Sequence, residues 1–325
     1  MSSGFVRHST LVHLSGAGHM GVGEDVTYDA GDQLAFQRAG AVHGLDGTTT
    51  LAELSTRLGA LDLFPAPPAR DADRDYRRWA FESAALDLAL RQAGRSLADA
   101  LGRRPRPVRF VVSPGLGRPP TSAPVRLLLE MHAGLRFKLD ATREWDEALI
   151  DELAALDAVD VIDLKGAYRG TPVDQEADAG LYGRVARAFP RAWIEDPRLT
   201  PATAAILADH MERVTWDAPI RSLADVEALA FEPRGLNVKP SRFGSLARLC
   251  AFYDHCAARG IAMYGGGQFE LGPGRGQVQY LASLFHPDAP NDVAPAAYNA
   301  PLSGPPPPPS PLAPAPASTG FAWNP

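Results

Sequence analysis

Five short apolar runs between residues 135 and 239 of the 325-residue chain carry charged side chains at or next to their ends. LRFKL (135–139) carries Lys138, and VDVID (159–163) ends on Asp163 with Lys165 two residues beyond. RAWIE (191–195) ends on Glu195, RVTWD (213–217) on Asp217 and GLNVK (235–239) on Lys239. If these runs are adjacent parallel strands, three carboxylates meet at one end of a sheet. Bare, they repel. A hard divalent cation such as Mg2+ resolves the repulsion, taking oxygen ligands and keeping positions open for water or substrate. A lysine that is partly desolvated beside a cation loses its proton more readily and becomes a general base near neutral pH. That set suits removal of a proton α to a carboxylate, because the charge of the enolate is stabilised where it develops. One lysine takes the proton. The other returns it on the opposite face, donates to a leaving group or stabilises charge.

The elements that must position these residues follow from the rhythm of the chain. Besides the five runs, VRFVVS (108–113), GIAMY (260–264) and DVAPAAY (292–298) have strand character. Helix-length amphipathic stretches separate them: 143–156, 173–189, 201–211, 223–229, 246–258 and 276–285. Eight strands alternating with helices over roughly 190 residues predict a closed (β/α)8 barrel of the TIM type, spanning 106–299. In that architecture the ends of the strands face the reaction site. Residues 1–105 read as a smaller α+β unit. A strand at Ser9–Leu14 and a glycine-rich turn lead into a second strand, and helices follow from Leu51, with YRRWAFESAALDLAL (76–90) amphipathic. After Asn299 comes a proline-rich segment, 300–325, in which five consecutive prolines exclude helix and sheet. It reads as an extended strap anchored by Phe321 and Trp323.

Composition sets limits. Lys and Arg total 32 against 38 Asp and Glu, a net charge of −6, which argues against a nucleic-acid partner. No apolar run approaches the roughly 20 residues that cross a bilayer, and the N-terminus lacks a secretory h-region. With two cysteines, Cys250 and Cys256, a cytoplasmic, reducing location is expected. Simpler readings compete at single positions. One strand-end Asp is as well explained as a helix N-cap, whereas three with flanking lysines point to a site. Gly16-x-Gly18-x-x-Gly21 matches a dinucleotide fingerprint but runs into acidic, strand-like sequence rather than a helix. Cys250, His255 and Cys256 lack the spacing of a zinc site, and packing cysteines are expected.

The runs RFKL, VIDLK, WIEDP, TWD and NVKPSRFGSL, in that order and at barrel spacing, resemble the enolase superfamily. Lysines on the second and sixth barrel strands resemble its muconate lactonizing enzyme and o-succinylbenzoate synthase subgroup. GVGED and AFESAALDLALRQAGRSLADALG resemble the superfamily's N-terminal capping domain. The resemblance implies one Mg2+ held by Asp163, Glu195 and Asp217, with Lys138 and Lys239 as the acid/base pair. It implies a small-molecule carboxylate substrate, an enolate route to cycloisomerisation, racemisation or epimerisation, or dehydration, and a homo-oligomer. Arg136 takes the place of the first lysine of the subgroup's Lys-x-Lys and is expected at the substrate. Lys165 replaces the Asn of Asp-x-Asn and is expected to bind the substrate carboxylate or act as an acid. Ala218 removes a second carboxylate after the fifth strand. About eight residues precede the first strand, where the superfamily has another strand and a mobile loop, so the cap is expected to be cut short. In the glycine-rich segment after the seventh strand, Gln268 and Glu270 are expected at the distal end of the substrate. A comparable segment occurs in methylaspartate ammonia-lyase-like members, which keeps an ammonia elimination open. Lys165, Ala218 and the proline-rich tail also fit a barrel that binds without turning over.

Overall fold

A computed structural model describes residues 6–40, 43–171, 173–299 and 305–323. The N-terminal part opens with a hairpin of β1 (Thr10–Gly16) and β2 (His19–Asp25), joined by Ala17 and Gly18. Both turn residues have positive φ (49° and 78°), the geometry that matches the twist of a tight hairpin. The GxGxxG stretch is therefore a hairpin. Four helices follow: α1 (Ala30–Ala39), α2 (Leu51–Ala60), α3 (Asp73–Gln92) and α4 (Leu97–Leu101). A reciprocal Thr50–Glu53 capping box starts α2. The hairpin lies directly on α3, and glycine makes this possible. A Cβ on Gly21 would come within 2.2 Å of the Ala84 carbonyl, and one on Gly23 within 1.9 Å of the Ala80 carbonyl. Val12, Phe36, Leu54, Leu58 and Phe81 form the small core beneath.

The remainder alternates strand and helix: β3 (Val111–Val112), α5 (Ala123–Met131), β4 (Arg136–Asp140), α6 (Glu147–Ala155), β5 (Val159–Asp163) and α7 (Ala179–Ala188). Then come β6 (Trp193–Glu195), α8 (Pro201–Leu207), β7 (Val214–Trp216), α9 (Leu223–Glu227), β8 (Gly235–Val238), α10 (Leu246–Arg259), β9 (Ala262–Gly265) and α11 (Pro273–Phe285). The strands β3 to β9 form one parallel sheet in chain order. It curls into the (β/α)8 arrangement, and a large apolar core fills the barrel and the layer between sheet and helices.

Three expectations are corrected. The segment DVAPAAY is not a strand: the eighth position is held by Asn291 and Asp292 alone, which bridge Phe110 on one side and Gly266 on the other. Pro295 has no N–H to donate, and 296–299 turn as a 3₁₀ helix. The helix expected from 173 begins at Ala179, where the Asp178 side chain accepts from Leu181 N and starts it. Helices α1 and α5 were absent from the pattern reading: each buries only two residues, and α1 has no clear apolar face, whereas α5 is amphipathic but only nine residues long.

The segment 305–323 runs back along the molecule. Leu312 pairs with Val108, the Pro307 carbonyl meets His132 Nε2 at 2.6 Å, and Phe321 and Trp323 are buried against Tyr280. No helix among the described residues is long and apolar enough to cross a membrane.

Candidate active site

The parallel register sets Asp163 beside Glu195. Asp163, Glu195 and Asp217 are fully buried at the ends of β5, β6 and β7. Lys138 on β4 is also buried, next to a register shift between Phe137 and Lys138 in the pairing with β5. Its Nζ bonds to Glu195 Oε1, lies 3.2 Å from Asp163 Oδ2 and 3.8 Å from Asp292 Oδ2. Lys239, directly after β8, donates to Asp217 Oδ2 at 2.8 Å. The carboxylates thus form a row across three neighbouring strands, with one lysine at each end.

Asp196 was not singled out from the sequence. It sits in a left-handed conformation (φ 51°), and its oxygens accept from Asp217 N and Ala218 N, each at 2.9 Å. Asp163, Glu195 and Asp196 bring carboxylate oxygens within 4.8 Å of one another, all buried. Asp217 instead has its oxygens taken by Lys239, by Tyr168 Oη at 2.7 Å and by Arg242 Nη1 at 3.0 Å. Tyr264 and Asn237 both donate to Glu195 Oε2, the latter at 3.4 Å. Arg242, Tyr168, Asn237 and Tyr264 escaped the sequence reading because none ends a strand with a free charge. The motif fragments EDP and KPSR were the available signals for Asp196 and Arg242.

The electrostatics divide the cluster. Burial opposes ionisation of Asp163 and Asp217, yet Lys165 and Lys138 hold the first below the ordinary range, and Arg242 and Lys239 hold the second well below it. Burial, with Asp163, Asp217 and Asp196 nearby, pushes Glu195 well above the carboxylate range despite Lys138. Burial, with Asp217 and Asp163 nearby, raises Asp196 to about 7. Burial works against the Lys138 ammonium too, but Glu195 and Asp163 outweigh it and its pKa rises. Even with Lys138 on Glu195, the four neighbouring carboxylates outnumber the cations around Glu195 and Asp196, whose donors are all oxygen. This donor set fits a hard divalent cation.

Lys165 reaches the cluster from the side. In a left-handed conformation (φ 52°), it donates its backbone N–H to Asp163 Oδ1 at 2.9 Å and its ammonium to Asp163 Oδ2, with Asp140 Oδ1 3.4 Å away. A cavity of about 690 Å3 opens beside Lys138 and Lys165, walled by Leu116, Arg118, Trp145 and Val173. Arg136 is not part of this gathering. Its guanidinium binds Asp160 Oδ1 at 2.6 Å and the Asp157 carbonyl, near the start of β5 and three residues upstream of Asp163. Two residues of rise along β4 separate it from Lys138, enough to place it at the other end of the barrel.

Gln268 and Glu270 are the buried side chains of the loop after β9, in which Phe269 and Leu271 are exposed. With its amide oxygen toward the guanidinium, Gln268 accepts from Arg242 Nε (2.6 Å) and Nη2 (3.0 Å), and its nitrogen donates to Tyr28 Oη at 2.7 Å. Glu270 Oε1 accepts from Gln268 N at 2.8 Å, whereas its Oε2 is buried without a hydrogen-bond partner. The hairpin side holds the same loop: Arg7 bonds to the Gln268 carbonyl at 2.9 Å, and Glu24 accepts from Leu271 N, Gly272 N and Gly274 N.

Solved structures share this fold, among them a member of the enolase superfamily from Listeria innocua, with a TM-score of 0.68 at 20% identity over 87% of this chain and 77% of that one. A probable mandelate racemase from Alicyclobacillus acidocaldarius superposes with a TM-score of 0.69 at 22% identity, over 90% of this chain and 79% of that one. A dipeptide epimerase from Enterococcus faecalis V583 gives 0.70 at 16% identity, over 97% and 93%. The chain belongs to the family described as domain of unknown function DUF8230, whose N-terminal domain matches residues 1–100 and C-terminal domain residues 104–300. It is also 27% identical over 228 residues to an o-succinylbenzoate synthase of Geobacillus stearothermophilus. That match takes in 67% of this chain, which spans 59% of the relative's length.

Proposed function

We propose that this protein is a Mg2+-dependent enzyme that removes the α-proton of a small carboxylate substrate. The observation that carries the reading is the buried row of Asp163, Glu195 and Asp217 with Lys138 at one end and Lys239 at the other. Asp163, Glu195 and Asp196 would hold the cation, and Asp217, the ligand expected from the sequence, would join them by giving up one of its contacts to Lys239, Tyr168 or Arg242; the cation would supply Lewis-acid stabilisation of the substrate's developing negative charge. The lysines sit on the second and sixth of eight barrel positions, and so face each other across the substrate. Proton removal on one face and delivery on the other serves racemisation. Delivery to a leaving group serves β-elimination, and a ring-opening or ring-closing partner gives cycloisomerisation. The relative named o-succinylbenzoate synthase favours the elimination branch.

Lys165 binds the substrate's carboxylate or its departing group from the mouth, since its ammonium already lies between Asp163 and Asp140. Residues 1–105 act as the cap: Arg7, Glu24 and Tyr28 hold the loop 268–274 over the barrel. Burying the reacting groups excludes water and strengthens the charge interactions that hold the lysines in place.

The test is incubation with α-substituted carboxylates and Mg2+ in D2O. Loss of an α-proton NMR signal is expected for a substrate, even without net product. Chelation should abolish the exchange, and Lys138→Ala or Lys239→Ala should slow it by about 10²- to 10⁴-fold. Full exchange by Lys239→Ala would sink the acid/base assignment. An intact fold that binds no Mg2+ by calorimetry would favour a binding barrel without turnover.

A further inference from the structure

The hairpin carries an unguarded edge that the barrel chemistry does not use. In a two-residue hairpin the closing pair, here Gly16 and His19, is hydrogen-bonded, and the pattern then alternates. Leu11, His13 and Ser15 therefore point their N–H and C=O groups away from β2. Among the described residues nothing bonds to these groups. The outer edge of β2 is treated differently: Val22 N donates to Asp87 Oδ2 at 3.0 Å, and the Val22 carbonyl accepts from Gln277 at 2.8 Å. Solvated edges are usually blunted with Lys, Pro or a bulge, yet β1 reads TLVHLSG, without a charge, a proline or an irregular pair.

A groove of about 980 Å3 runs along this edge. Phe36, Leu45, Leu51, Leu54, Ala85 and Leu88 are among its walls, and Asp46 is the one charged lining residue among the described residues. The alanines of α3 leave room for backbone to approach, as the glycines of β2 do beside it.

We propose that this edge and groove dock β1 of a second copy of the chain, extending the hairpin into a four-stranded antiparallel sheet across a two-fold axis. An uncharged edge can meet itself without opposing like charges, and a two-fold normal to the sheet makes the pairing antiparallel and places the same face of both copies on the same side. One register satisfies all the outward groups. His13 then faces His13 of the second copy on the axis, and Leu11 faces Ser15. On the inner face Val12 meets Leu14, so two apolar pairs close over the groove. This surface lies outside the carboxylate cluster, so its test is independent of the enzymatic reading.

Light scattering and sedimentation of the full chain at micromolar concentration should report a dimer. His13→Pro removes an outward N–H that β2 does not use, and should shift the chain to monomer without loss of helical signal. Leu11→Lys, at an exposed position, should weaken the dimer by tenfold or more; it decides the matter if His13→Pro folds poorly. His13→Cys in a Cys250→Ser background should be joined into dimers by a short bismaleimide, because the remaining Cys256 is buried. A wild-type monomer, whatever else enters the groove, overturns the proposal. So does a dimer that survives both edge substitutions or that the cross-linker fails to join.

Discussion

At the scale of residues, the site is organised by which carboxylates already have cations. Asp217 is locked by Lys239 and Arg242, while Asp196 and Glu195 crowd each other. Two substitutions should therefore behave differently. Asp196→Asn keeps the shape and loses the charge, so Mg2+ or Mn2+ affinity by calorimetry should fall about 10- to 100-fold, with a smaller stability loss of about 1–3 kcal/mol because the new NH2 faces the N–H of Asp217 or Ala218. Asp217→Asn leaves a buried guanidinium and ammonium without their counter-ion. It should destabilise the fold by about 3–5 kcal/mol in urea titration. Equal stability losses in the two variants would contradict this division.

At the scale of elements, two contacts decide how the parts fit. The hairpin rests on α3 only because Gly21 and Gly23 have no side chains. Gly23→Ala should cost about 2–3 kcal/mol, since the new methyl meets backbone that cannot rotate away; unchanged urea stability would mean the hairpin lifts freely. The barrel closes through Asn291, whose Oδ1 accepts from Gly265 N and from His286 Nδ1, both at 2.6 Å. His286 is buried, faces the Tyr253 hydroxyl on its other nitrogen, and has its pKa lowered to about 4 by that burial. The unfolded chain takes up this proton first as pH falls. Stability present above about pH 6.5 is thus lost progressively down to about pH 4, by about 3 kcal/mol in all. Urea midpoints measured across that window should show the slope, and His286→Gln should remove it.

At the scale of the whole molecule, the terminal segment ties the N-terminal helices to the barrel. Phe321 is fully buried beside Tyr280, and its backbone N–H donates to Asp87 on α3 at 2.7 Å. Ser96 on the N-terminal side pairs with Gly320, and Val108 before β3 pairs with Leu312. Phe321→Ala should lower stability by about 3–5 kcal/mol, and the fall in thermal midpoint should be shared by probes in both parts. A loss confined to the last residues would show that the strap is passive.

Much of this was legible in the residues. Strand-end positions of Lys138, Asp163, Glu195, Asp217 and Lys239 follow from alternating patterns, because a parallel strand ends where its apolar run ends and a helix signal takes over. The same logic failed where backbone pairing was not announced by side chains. Asn291 and Asp292 complete the barrel in two residues, and DVAPAAY, which looks like a strand, carries a proline that cannot donate. Arg136 looked like a site residue by its position two before Lys138, but its partner Asp160 lies on the neighbouring strand, a pairing that linear sequence does not reveal. Sequence alone determined the βα rhythm and the charged residues available to the site, since both are local properties of period and residue type. Tertiary structure decided which carboxylates are already neutralised, which edge stays open and how the ring closes. Those outcomes depend on distances between segments far apart in the chain, and no local pattern encodes them.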